Sequence, residues 1–445
     1  MKKINRREFL RNSGLITLAG FGGIKLGFAN SVVNTVKGTS NNGKDLLVYV
    51  FLNGGMDGLN FLPPRSGVNY SEYSTVLRPG LHIPNTESLA LNGNSEFGFH
   101  PLATGMRNLF NANKMAIIHA TGLEQSNRSH FVATALMELG IEDQNASLGS
   151  GWMTRYFDSS LTTPDNALIP SIVPSYNITD AVLGDLSALI VGSPTEFALD
   201  MGHWAWEDAM QATVFDVFSN PTTLEQTVSH QTLLASQVIQ GIDWNNYVPE
   251  NGASYPAGYF GQQLKTIAQL YKENVDLEIA YVPTGGWDTH IGQGTGTTGE
   301  FANLVQELSD GLYALYQDLS ASYSGKFTII VQSEFGRRAY ENNSNGTDHG
   351  YGNPMFVIGD NVNPGFFGQF PGLQANQLFE EEDVNVTTDY RNVVSEVLIK
   401  RMQNRFLGYI FPGYDSYSPL GIVNGTDLSP VYNFDYDPIF ASGFE

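Results

Sequence analysis

Apolar side chains recur along this chain with two periods, and the alternation between them outlines the fold. Short unbroken runs stand at Leu46-Leu47-Val48-Tyr49-Val50-Phe51-Leu52, Met115 to His119, Ala188 to Val191, Ile279 to Val282, Phe327 to Val331 and Met355 to Ile358. Runs of this length, such as the one closed at once by Asn53-Gly54-Gly55, predict buried strands that end in loops. Between several of them the apolar positions fall three or four apart, as in Phe260, Leu264, Ile267 and Tyr271, and again in Phe301, Leu304, Leu308, Leu312 and Leu315. That spacing puts one apolar stripe on a helix. Strand and helix in alternation predict an α/β fold, with a mostly parallel sheet covered on both faces.

Two stretches break the pattern. Residues 140–255 hold fewer strand-to-loop junctions and several Asn/Thr/Pro-rich turns, which marks them as a candidate insertion or cap within a domain spanning 30–420. Residues 421–445 are rich in Asp, Pro and aromatics, and form a C-terminal tail.

The N-terminus differs from both. Asn5-Arg6-Arg7-Glu8-Phe9-Leu10-Arg11 precedes a moderately apolar, glycine-containing stretch that ends at Gly27-Phe28-Ala29, a small-x-small cleavage pattern. Two adjacent arginines, an apolar core and a cleavage site in this order predict a twin-arginine signal peptide over residues 1–29. The stretch is too short and too interrupted, by Lys25, for a stable membrane span. The expected location is the periplasm or the outside of a bacterial cell, with the twin-arginine translocation machinery as a partner.

Composition narrows the chemistry. There is no cysteine, so any metal must sit on oxygen and imidazole. The formal charge is −22, and the signal segment carries six of the basic residues against one acidic residue, so its removal deepens the excess. Nucleic acid is a poor partner for such a surface.

In a parallel sheet, ligands gather at the carboxyl ends of the strands, and the acidic and imidazole residues of this chain cluster there. Asp57 follows the first strand in Gly54-Gly55-Met56-Asp57-Gly58. Asp288 and His290 follow the Ile279 strand, two positions apart, so that on an extended segment both face one side and could share an ion. Glu334 comes straight after the Phe327 strand, with Arg337 and Arg338 close behind as candidate anion-binding groups. Asp348-His349 lies in a Gly/Asn-rich loop before the Met355 strand. Ser129, in Asn127-Arg128-Ser129-His130-Phe131, precedes a helical pattern, where free N–H groups favour an anion and an activated hydroxyl. Each has an ordinary alternative: a turn aspartate, a hydrogen-bonded histidine, an internal salt bridge, an N-cap serine. Together they would concentrate negative charge that only cations relieve.

The stretches Phe51-Leu52-Asn53-Gly54-Gly55-Met56-Asp57-Gly58-Leu59-Asn60, Phe97-Gly98-Phe99-His100-Pro101, Arg128-Ser129-His130-Phe131, Gly286-Trp287-Asp288-Thr289-His290, Ser333-Glu334-Phe335-Gly336-Arg337 and Thr347-Asp348-His349-Gly350 resemble, in this order, the landmarks of domain-of-unknown-function family 1501. That family is placed in the alkaline-phosphatase-like superfamily with sulfatases and phosphomutases, and the resemblance runs from about residue 45 to 405, including Thr387-Thr388-Asp389-Tyr390-Arg391. It implies a three-layer α/β/α sandwich and divalent metal ions, zinc or manganese, as many as two. It further implies Asp57, Asp348 and His349 on one ion, Asp288 and His290 on the other, Ser129 as nucleophile, and Arg128 or Arg337 orienting a small anionic ester.

The chain departs from the superfamily in having no histidine beyond His349, for which His130 or Glu334 are candidate substitutes, the alternative being a second ion that is weakly held or absent. It also lacks the sulfatase pattern of Cys or Ser followed by x-Pro-x-Arg. The expected function is an exported metal-dependent hydrolase of phosphate or sulfate esters. The competing expectation is a non-catalytic exported binding or assembly protein that keeps the fold.

Overall fold

A computed structural model of the chain describes residues 45–146, 148–163, 167–197 and 206–433. The expected signal peptide lies outside the described residues. Among the described residues, no helix is long and apolar enough to cross a membrane.

The first apolar run forms strand β1 (Leu46–Leu52), and all seven of its side chains are buried. Its alternate residues serve two cores: Leu46, Val48, Val50 and Leu52 enter one, Leu47, Tyr49 and Phe51 the other. This is what a central strand of a sandwich requires, and each aliphatic side chain so buried contributes about 1.5–3 kcal/mol. A hairpin, β2 (Leu89–Leu91) and β3 (Asn94–Phe99), stands apart as a second small sheet. The remaining strands are β4 (Met115–Gly122), β5 (Ser171–Val173), β6 (Leu189–Ile190), β7 (Ile279–Thr284), β8 (Phe327–Ser333), β9 (Asn353–Ile358), β10 (Gly365–Phe367) and β11 (Thr388–Asp389). With β1 they form, among the described residues, a nine-stranded sheet in the order β10-β4-β9-β8-β1-β7-β5-β6, with β11 paired to β4. All pairings are parallel except those of β9, which runs opposite to both β4 and β8.

Helices cover both faces. On one side lie α1 (Thr104–Asn111), α5 (Leu224–Gly241), α6 (Tyr259–Lys272) and α7 (Glu300–Tyr323). On the other lie α2 (His130–Leu139), α3 (Trp152–Ser159) and α8 (Tyr390–Lys400). The helical spacings at Phe260 and Phe301 correspond to α6 and α7, whose apolar stripes are buried. A further helix, α4 (Glu207–Phe218), buries only Gln211 fully. The chain is therefore a mixed α/β protein with a large, mostly parallel sheet between two helical layers.

Residues 140–255, expected as an insertion or cap, supply α3 to one core and β5 and β6 to the edge of the main sheet. The expected tail begins as packed chain: Ile422 and Val423 are buried, and Val423 pairs with Val362.

Strand register positions the site. Leu52 at the end of β1 lies opposite both Thr284 of β7 and Ser333 of β8, so the carboxyl ends of the three central strands are level. Because β9 returns antiparallel to β8, the loop that joins them, residues 334–352, stays at that same edge. One reversed strand thus brings Glu334, Arg337, Asp348 and His349 to the loops that follow β1, β4 and β7.

Candidate metal centre

Three imidazoles meet around one carboxylate oxygen. Asp288 Oδ1 lies 3.0 Å from His290 Nε2, 3.2 Å from His349 Nε2 and 3.3 Å from His130 Nε2. His349 Nε2 is 2.8 Å from both His130 Nε2 and His290 Nε2. The ligand atoms of His130, Asp288 and His349 all lie within 4.8 Å of one another, a group that could hold a metal ion. These residues come from three parts of the fold: His130 opens α2, Asp288 and His290 follow β7, and His349 sits in the loop before β9.

The other ring nitrogens decide what these three can bind. His130 Nδ1 lies 2.7 Å from Glu334 Oε1, His290 Nδ1 lies 2.9 Å from Asp348 Oδ1, and His349 Nδ1 lies 2.8 Å from the carbonyl oxygen of Arg128. An ionised carboxylate or a carbonyl can only accept, so each Nδ1 carries the proton and donates it. In the neutral ring, Nε2 is then a lone pair. Three lone pairs and an anionic oxygen about 3 Å apart repel one another unless a cation lies among them. Tetrahedral zinc, with bonds of about 2.0–2.1 Å, would hold its ligand atoms about 3.3 Å apart. The five separations given above fall within about half an ångström of that spacing.

Protonation follows the same geometry. The hydrogen bond to Glu334 raises the His130 pKa against the opposing effect of burial. Burial lowers that of His349, helped by the charges of His130 and Arg337. Burial would raise Asp288, but the Arg337 guanidinium and the neighbouring histidines outweigh it and hold the carboxyl at about 2. Asp348 is lowered, chiefly by the amide of Asn342.

Glu334 and Arg337 support this cluster from beneath. Glu334 is buried, accepts from the backbone N–H of Gly54 at 2.8 Å as well as from His130, and takes a third hydrogen bond from Ser333 Oγ. It is thus a partner of a histidine rather than a ligand in its place. Arg337 is buried and donates to the carbonyls of Gly54, Gly55, Trp287 and Thr347, and to Asp288 Oδ1 at 2.5 Å. Expected as an anion-binding group, it instead clamps Asp288, because burial beneath the loops turns its donors toward the protein. The Arg128 guanidinium is likewise paired, with Asp383 and Glu380, and it is its carbonyl that serves the site.

Asp57, expected beside Asp348 and His349, is buried and ion-paired with Arg78 at 2.5 Å. Ser129 lies where the sequence puts it, as the N-cap of α2 directly before His130, exposed and with no side-chain capping bond. His130, expected as a substitute ligand, is one of the three converging imidazoles. Arg78 and Gln293, whose contacts reach Asp57, stand outside every sequence landmark.

Residues 215–404 match the family described as "Protein of unknown function (DUF1501)". That stretch contains Asp288, His290, Glu334, Arg337, Asp348 and His349, while His130 lies outside it. No curated protein matches the sequence. Among solved structures, the chain is similar to an alkaline phosphatase from the Antarctic bacterium TAB5, at 11% identity over 74% of this chain and 95% of that one, with a TM-score of 0.27. It is similar to a sulfatase from Pseudoalteromonas sp., at 10% identity over 89% and 75%, with a TM-score of 0.36. It is also similar to a protein in the alkaline phosphatase superfamily from Vibrio parahaemolyticus, at 7% identity over 82% and 71%, with a TM-score of 0.27.

Proposed function

We propose that the chain is an exported, metal-dependent hydrolase of phosphate or sulfate esters, with a divalent ion, zinc or manganese, held by His130, His290, His349 and Asp288. One observation carries this reading: three imidazoles, each with an acceptor at Nδ1, turn their Nε2 atoms toward one aspartate oxygen. Bound there, such an ion, by expanding beyond four-coordination, would supply Lewis-acid stabilisation of the negative charge that develops on an ester oxygen.

The chain's own residues supply the rest. Ser129 stands exposed at the N-terminal end of α2, beside a ligand, and its hydroxyl is free of the usual capping role. Its Oγ forms the new bond to phosphorus or sulfur as the bond to the ester oxygen breaks. Its proton passes through water to the departing alkoxide, and water later hydrolyses the seryl ester. The free N–H groups of the first turn of α2 favour an anion at this point. Phe131 and Ile291 directly follow two of the histidines and are 91% and 76% exposed. On so acidic a protein they offer apolar contact to the organic part of a substrate, which makes aryl esters the first choice for assay.

The test is turnover of aryl phosphates, phosphodiesters and aryl sulfates by protein loaded with zinc or manganese. We expect saturable hydrolysis that Ser129→Ala lowers by roughly a thousandfold or more and Asp288→Ala abolishes with loss of bound metal. A wild type that binds the metal yet turns over none of these esters would leave the competing binding-protein reading in possession of the site.

A further inference from the structure

The resemblance to the alkaline-phosphatase-like superfamily gives Asp57 to a metal ion, yet its carboxylate is already paired through Oδ2. Arg78 Nη1 lies 2.5 Å from Oδ2, and both side chains are fully buried. Gln293 Nε2 donates to the same oxygen at 2.6 Å, and the backbone N–H of Asn60 approaches Oδ1 at 3.4 Å. Arg78 is itself fixed by Asn60 Oδ1 and by the carbonyls of Ala339 and Arg338. A guanidinium stays charged at any pH the fold meets. An ion arriving at Asp57 would have to displace Arg78 and leave its charge unpaired in a medium of low dielectric.

We infer that this chain binds one metal ion rather than two, and that Asp57 is a positioning residue that holds the ligand loops from behind. The inference rests on the proposed imidazole site. The permanent charge of Arg78 stands where the resemblance calls for a second cation.

Gln293 is the connection between Asp57 and the ligands. While its Nε2 donates to Asp57, its Oε1 accepts from Thr289 Oγ1 and from Thr347 Oγ1, at 2.9 Å each. Thr289 lies between Asp288 and His290, and Thr347 directly precedes Asp348 and His349. The two threonines are also joined through their backbones, Thr347 N donating to Thr289 O at 3.1 Å. The carboxylate fixes which end of the amide is which: the NH2 must face Asp57, so the oxygen must face the hydroxyls. One amide, oriented by Asp57, therefore ties together the loops that present Asp288, His290 and His349.

The experiment is metal stoichiometry and affinity. Purified protein is saturated with Zn2+, freed of excess, and analysed for metal per chain; Co2+ is then substituted and its d–d absorption recorded. We expect one ion in wild type and still one in Asp57→Asn. In Gln293→Leu we expect affinity weakened by about ten- to a hundredfold together with an altered Co2+ spectrum. Two ions in wild type, or the loss of one in Asp57→Asn, would overturn the single-ion inference and leave the hydrolase reading standing. Unchanged affinity and spectrum in Gln293→Leu would overturn the positioning role, and because that variant keeps the Arg78–Asp57 pair the test survives if Asp57→Asn fails to fold. Wild type that takes up neither Zn2+ nor Co2+ would remove the proposed function and this inference with it.

Discussion

A histidine whose Nδ1 donates to a carboxylate or carbonyl has its other nitrogen decided for it, and in this protein three such rings face one aspartate. The contrast is with His100 and His119, which burial holds neutral with pKa values lowered to about 4. His119 sits in a cage of Phe97, Phe366 and Phe370. In the unfolded chain both take up a proton near pH 6.5. Between about 6.5 and 4 the unfolded state therefore binds protons that the folded state refuses, and stability falls as pH falls through that window, by on the order of 2–3 kcal/mol for each residue. Urea unfolding of metal-free protein from pH 7.5 to 4.5 measures this, and His119→Phe should flatten the slope. An equally steep slope in that variant would assign the effect to other groups.

Individual residues also show how far the sequence reached. Asp288, His290, Asp348 and His349 were legible as site residues because each stands just past or just before an apolar run, and strand ends collect ligands. The roles of Glu334 and Arg337 were not legible. Both depend on which group lies opposite across the sheet edge, as with His130 and Glu334, 204 positions apart. Asp57 looked like a ligand for the same reason as Asp288; what separates them is Arg78, which lies outside every apolar run and landmark.

At the scale of elements, the site depends on how closely β1 approaches the loop after β7. Gly54 has φ +122°, and a Cβ there would lie 2.5 Å from the backbone nitrogen of Asp288. Its N–H and carbonyl serve Glu334 and Arg337. Gly54→Ala should therefore push the Asp288 loop outward, destabilising the fold by about 1–3 kcal/mol and weakening zinc affinity by at least about tenfold. Isothermal titration and urea unfolding of the same preparation check both, and wild-type zinc affinity in that variant would show that the close approach is dispensable. The alternation of strands and helices was plain from apolar spacing. The reversed direction of β9 was not, since a buried strand shows the same apolar run whichever way it points. Nor were β5, β10 and β11 foreseen, at two or three residues each.

Across the whole molecule, two helical layers bury a sheet whose loops open at one edge, and that edge concentrates the chemistry. A sheet interior packed on both faces leaves the strand ends as the place where polar groups from distant parts of the chain can meet. Here they meet as three imidazoles and a carboxylate with Arg78 and Arg337 buried behind them, on a protein of formal charge −22. The most direct measurement of this account is anomalous diffraction from crystals of the zinc-loaded protein. The account predicts a single strong peak within bonding distance of the Nε2 atoms of His130, His290 and His349 and of an Asp288 carboxylate oxygen. A peak at Asp57, or none among the three imidazoles, would contradict it.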